Sequence, residues 1–137
     1  MREAKEHEPT SVRRTVELDC SADELWHLVT DASGLGEWLG RDVELDPRPG
    51  ARGRLLDDDG SVRHLLVREV VDGRRFGFSW WAEDRSDATD VSFTIEPAER
   101  GGSRLTVTET LPAGPLTGSW ELRLLSLWLS VCALARV

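Results

Sequence analysis

Residues 21–40, SADELWHLVTDASGLGEWLG, constrain the fold most, because of what comes after them. Ser21-Ala-Asp-Glu24 is a capping box ahead of an apolar run, so a helix starts there. Leu25, Trp26, Leu28 and Val29 form its apolar stripe. Asp31-Ala-Ser-Gly34 breaks it, and Leu35–Leu39 makes a second turn or two carrying Trp38. From Arg41 to Thr110 the pattern alternates with strand period, and the chain then closes on an apolar helical pattern. Two short helices, a run of antiparallel strands and a final helix can satisfy their apolar faces together only if the helices lie across a curved sheet. An α+β architecture of about six to seven strands follows.

The strand reading rests on period two and on turns. Val16 and Leu18 share a face ahead of the first helix. Phe76, Phe78 and Trp80 alternate, as do Val91, Phe93 and Ile95, and Leu105, Val107 and Glu109. Pro47-Arg-Pro-Gly50, Asp57-Asp-Asp-Gly60, Asp72-Gly73 and Glu99–Ser103 are the turns, and Asp72-Gly73 has the signature of a two-residue type I′ hairpin. Pro112–Pro115 ends the sheet. A helix over about 116–135 puts Trp120, Leu124, Leu127, Trp128, Val131 and Leu134 toward it. Leu122, Leu125 and Leu129 widen that apolar surface, either because the helix is engulfed or because a second copy of the chain meets it. Residues 1–10 read as a charged, loose tail and residues 11–137 as a single domain.

Bulk properties narrow the function. The chain has 137 residues and a net charge of −8, with its arginines scattered among acids. Nucleic acid and anionic membranes reward a concentrated basic patch, so neither is an expected partner. The apolar run at the C-terminus is short for a span and is bracketed by Arg123 and Arg136, so no membrane crossing is expected. The N-terminus lacks the apolar core of a signal peptide, which points to the cytoplasm. Cys20 and Cys132 are far apart, and neither they nor the histidines have metal-ligand spacing. No metal or cofactor is expected.

The order of motifs resembles the helix-grip fold of the START-like (SRPBCC) superfamily, and within it the activator of heat-shock-protein-90 ATPase homologue family. The resembling residues are Leu25-Trp26, Thr30-Asp31, Trp38-Leu39-Gly40, Arg48-Pro49-Gly50, Ser79-Trp80, Ser103–Glu109 and Gly118-Ser-Trp120, spread over residues 14–137. Ala51 replaces a second signature glycine. Gly53 stands where a bulky apolar residue is expected, which would add room to a cavity if the position faces inward. The resemblance implies a pocket between the final helix and the sheet, and relatives of this fold include polyketide cyclases.

Candidate cavity-lining residues are Trp38, Phe78, Trp80, Phe93, Trp120, Leu124, Trp128, His64 and Glu109. For each aromatic one taken singly, plain core is the preferred reading. His64 shares parity with Val62 and Leu66, and a hydrogen-bonded or solvated role is preferred for it over catalysis. Glu109 has inward parity, where Arg54 or Arg68 could pair with it, although fraying of the strand into solvent is the preferred reading. No catalytic residue is assigned. The expected function is non-enzymatic binding of a hydrophobic, aromatic or polyketide- or lipid-like small molecule. The alternatives are a cyclase- or aromatase-type enzyme and a chaperone-interacting or other protein-interaction module.

Overall fold

The computed structural model describes residues 10–83, 88–111 and 123–128. Strand β1 (Thr10–Leu18) is followed by helices α1 (Ala22–Thr30) and α2 (Ala32–Trp38). Strands β2 (Asp42–Glu44), β3 (Arg52–Leu56), β4 (Val62–Val71), β5 (Arg75–Ala82), β6 (Thr89–Pro97) and β7 (Ser103–Leu111) come next. Residues 123–128 form helix α3. The remainder of the helix predicted over 116–135, and with it Trp120, Leu122, Leu129 and Cys132, lies outside the described residues. The predicted tail does too, except Thr10, which opens β1.

The strands form one curved seven-stranded sheet in the order β1-β7-β6-β5-β4-β3-β2. Every neighbouring pair is antiparallel. The period-two pattern sorts side chains cleanly. Leu55, Leu65, Val67, Phe76, Phe78, Trp80, Val91, Phe93, Ile95, Leu105 and Val107 are buried on the inner face. Leu25 and Val29 of α1, Leu35 and Trp38 of α2, and Leu124 and Leu127 of α3 complete the same core. The α+β helix-grip arrangement is therefore present.

Local chemistry explains the helix starts. The Glu24 N–H donates to Ser21 Oγ at 3.1 Å, and the Ser21 N–H donates to Glu24 Oε1 at 3.0 Å, so the capping box forms in full. Asp31 ends α1 in an extended conformation (ψ 140°), and α2 begins at the very next residue. The second helix thus starts at Ala32, three residues earlier than the predicted Leu35, because one extended residue suffices to redirect the chain. The Trp38 indole N–H donates to the Leu28 carbonyl at 2.9 Å and ties the two helices together.

One turn-level expectation changes, and one strand carries an irregularity. Val71 pairs with Arg75, so the loop between β4 and β5 has three residues, 72–74, rather than two. Gly73 alone in it has positive φ (75°), whereas a type I′ turn needs two such residues. A bulge between Val67 and Glu69 makes Arg68 the extra residue. It keeps Val67 and Val70 facing the core while Arg68 and Glu69 turn outward.

Candidate functional site

The inner face is apolar along most of its length and turns polar at one end. There Trp80 is buried, and its indole N–H donates to Thr89 Oγ1 at 2.8 Å and to Glu109 Oε2 at 3.1 Å. Thr89 Oγ1 donates in turn to the same carboxylate oxygen at 2.6 Å. Strand parity places all three on one face, since Thr89 lies opposite Trp80 and Glu109 lies opposite Val91 in register. Glu109 is 8% exposed, so the strand does not fray there. A carboxylate can sit inside because donors meet it.

Neither arginine proposed from the sequence is on that face. Arg54 is exposed on β3, four strands from β7. Arg68 points outward, where its Nε donates to Ser79 Oγ at 2.6 Å, and that hydroxyl donates to Asp90 at 2.6 Å. Among the described residues, Arg63 and Arg123 lie near the cluster, and sequence reading missed both. Their guanidinium carbons lie 4.7 Å and 5.3 Å from the Trp80 ring centroid, a cation–π arrangement. The available signal for Arg63 was its parity with Leu65 and Val67. For Arg123 there was none beyond its place at the start of an apolar helix.

Arg63 and Arg123 also line a cleft of about 570 Å³. Its walls are the end of α2 and the turn after it (Trp38, Leu39, Gly40), the β3–β4 hairpin (Asp57–Asp59) and α3 (Ser126). The hairpin is locally well fixed. Asp59 accepts from the Ser61 N–H at 2.9 Å and from its hydroxyl at 2.6 Å, and those bonds hold the carboxyl below its ordinary pKa.

The predicted lining residues divide accordingly. Trp38 lines the cleft and packs on Phe93, with centroids 5.5 Å apart. Phe78 packs edge-on against both Phe93 (5.5 Å) and Trp80 (5.6 Å), so these rings fill space against one another. Leu124 is buried. Trp128, expected to face the sheet, is 43% exposed, and Leu125 is 50% exposed. Leu124 and Leu127, also expected to face the sheet, are buried, whereas Trp128 lies on the flank that Leu125 occupies.

His64 is not on the inner face. It stacks on Trp81, and its Nε2 pairs with the Glu83 carboxylate on the outer side of the sheet. Leu65, the next residue, points into the core. Gly53 does face inward but adds no room. A Cβ there would stand 2.4 Å from the Glu44 carbonyl oxygen and 2.8 Å from a Leu45 methyl, so the β2 end of the chain occupies that space. Cys20 is half-buried, and burial raises its thiol pKa, the reverse of what a nucleophile needs.

No helix among the described residues is long and apolar enough to cross a membrane. No curated protein matches the sequence significantly. Solved structures do. MLL2253 from Mesorhizobium loti is similar with a TM-score of 0.77 at 18% identity, over 90% of this chain and 98% of its own. CalU16 from Micromonospora echinospora is similar with a TM-score of 0.64 at 19% identity, over 90% of this chain and 83% of its own. DynU16, a protein of the dynemicin biosynthetic locus, shares 26% identity with a TM-score of 0.67. That match takes in 92% of this chain but 46% of DynU16, so this chain spans about half of that protein. The profile of the activator of Hsp90 ATPase homologue 1-like proteins matches residues 19–119, and the chain belongs to that family of the START-like superfamily.

Proposed function

We propose that this protein binds a hydrophobic small molecule, aromatic or polyketide- or lipid-like, between the inner face of the sheet and its final helix, without transforming it. The observation that carries the reading is the polar end of an otherwise apolar inner face: Trp80, Thr89 and Glu109 buried together, with Arg63 and Arg123 joining them to a cleft of about 570 Å³. An apolar wall with a few convergent polar groups is the ordinary make-up of a small-molecule site. Burial of ~300 Å² of apolar ligand surface is worth several kcal/mol before association costs, enough for micromolar affinity. The similarity to DynU16, whose locus is biosynthetic, supports a natural-product-like ligand.

A cyclase- or aromatase-type enzyme is the second reading. It is favoured by one feature, the buried Glu109 carboxylate beside an indole that two guanidinium groups cover. The outward position of His64 weighs against it, since His64 cannot then act with Glu109 as a proton-moving pair.

Native mass spectrometry of the purified protein, repeated after denaturation, tests binding directly. The expected result is a mass excess that disappears on denaturation and is lost in Trp80→Ala. A ligand recovered with a changed mass after incubation would favour the enzyme. A clean apo mass, with no uptake of added aromatic polyketide, would overturn both and turn attention to a protein partner at exposed Leu125 and Trp128.

A further inference from the structure

Arg123 makes more contacts across elements than a surface arginine requires. Its Nη2 donates to Asp57 Oδ2 of the β3–β4 hairpin at 2.8 Å. Its Nε donates to the Leu39 carbonyl, at the C-terminal end of α2, at 3.0 Å. Its guanidinium covers Trp80. One side chain of α3 is thereby fastened to a helix end, a hairpin and the floor of the inner face. The ion pair is sheltered, with Arg123 13% and Asp57 21% exposed, so salt screens it little. A cation at a helix C-terminus is also favoured by the helix dipole, although α2 is short.

These three elements are the walls of the 570 Å³ cleft. Any molecule passing from solvent to the buried face near Trp80 by this route must pass Arg123. We infer that the Arg123–Asp57–Leu39 contact is a gate that sets how fast ligand enters and leaves. This rests on the binding reading above. Arg123 is here a positioning residue that holds the cleft walls together and need not touch the ligand. The Arg123–Asp57–Leu39 contact consists of hydrogen bonds to a charged group, so it can break while Leu124 and Leu127 keep α3 packed on the core.

Asp57→Asn tests this with little change of shape. It leaves the Arg123–Leu39 bond in place and removes the charge partner. The probe is 1-anilinonaphthalene-8-sulfonate, an aromatic anion whose fluorescence rises in apolar sites, followed by stopped flow. In Asp57→Asn the association and dissociation rates should both rise, on the order of tenfold, with Kd changed by less than about threefold. Hydrogen exchange over residues 123–128 should rise in the same variant while the melting temperature stays near wild type. Arg123→Lys, which keeps the charge but loses the fork, should fall between the two. Rates unchanged in Asp57→Asn, or a faster dissociation alone with weaker Kd, would overturn the gate and leave the binding reading standing. A wild-type protein with no saturable probe signal, or with the same signal after Trp80→Ala, would overturn the pocket and the gate with it.

Discussion

Glycine positions show how much a single residue decides here. Gly53 faces the core side of β3, and its missing side chain lets the β2 backbone approach. Gly53→Ala would push a methyl to 2.4 Å from the Glu44 carbonyl oxygen, a backbone atom that cannot swing aside. The expected cost is about 1–3 kcal/mol, read as a lower urea midpoint with an unchanged slope. Gly36 offers the opposite case. It lies within α2, and a Cβ there would meet nothing within 4 Å. Gly36→Ala should stabilise by about 0.5–1 kcal/mol by removing backbone freedom from the unfolded chain. A midpoint unchanged or raised in Gly53→Ala would mean that the close approach is not what fixes that residue. The same scale explains why Glu109 misled. Parity gave its direction correctly, but its partners Thr89 and Trp80 come from strands β6 and β5, and only the folded register brings them to one oxygen.

Among the elements, α1 is the one whose existence and start are written most plainly. Ser21 and Glu24 form both halves of the box in the structure as in the sequence. Ser21→Ala should cost about 1 kcal/mol in a chemical denaturation curve, and an effect near zero would mean the fold holds α1 without its cap. Strand existence was equally legible, because alternation such as Phe76, Phe78 and Trp80 leaves little choice of face. Less legible were the points where backbone meets backbone. The early start of α2 includes Gly34, whose Cβ would stand 2.8 Å from the His27 carbonyl oxygen in α1. Read alone, that glycine signals a break, whereas in the fold it allows two helices to touch. The bulge at Arg68 was likewise invisible, and it turns Glu69 outward and Val70 back to the core, whereas Arg68 follows Leu66 to the outer face by plain alternation and serves Ser79 there. The orientation of α3 was uncertain for a different reason. A helix apolar on nearly every side has no stripe to read, so Trp128 could be assigned to the wrong flank.

At the scale of the whole molecule, the strand order joins the beginning of the described chain to its far end. β1 pairs with β7, with Val16 opposite Leu105, while β2 through β7 each pair with their sequence neighbour. The hairpins β4–β5, β5–β6 and β6–β7 close short loops, whereas β1 can dock only after a span of nearly the whole sheet has formed. Loop closure is costly before non-local contacts reward it, so β1 should join after the transition state and refolding should take on the order of milliseconds to seconds. Two matched substitutions test this order. Leu65 in β4 and Leu18 at the end of β1 are both buried, and either leucine replaced by alanine should cost about 2–5 kcal/mol. Leu65→Ala should act mainly by slowing refolding, because the β4–β5 pairing belongs to the nucleus. Leu18→Ala should leave refolding near the wild-type rate and accelerate unfolding in proportion to the stability lost. The reverse assignment in a pair of chevron plots would mean that the chain ends meet first. The sheet would then be assembled from its β1 edge inward rather than outward from the central hairpins that carry Trp80.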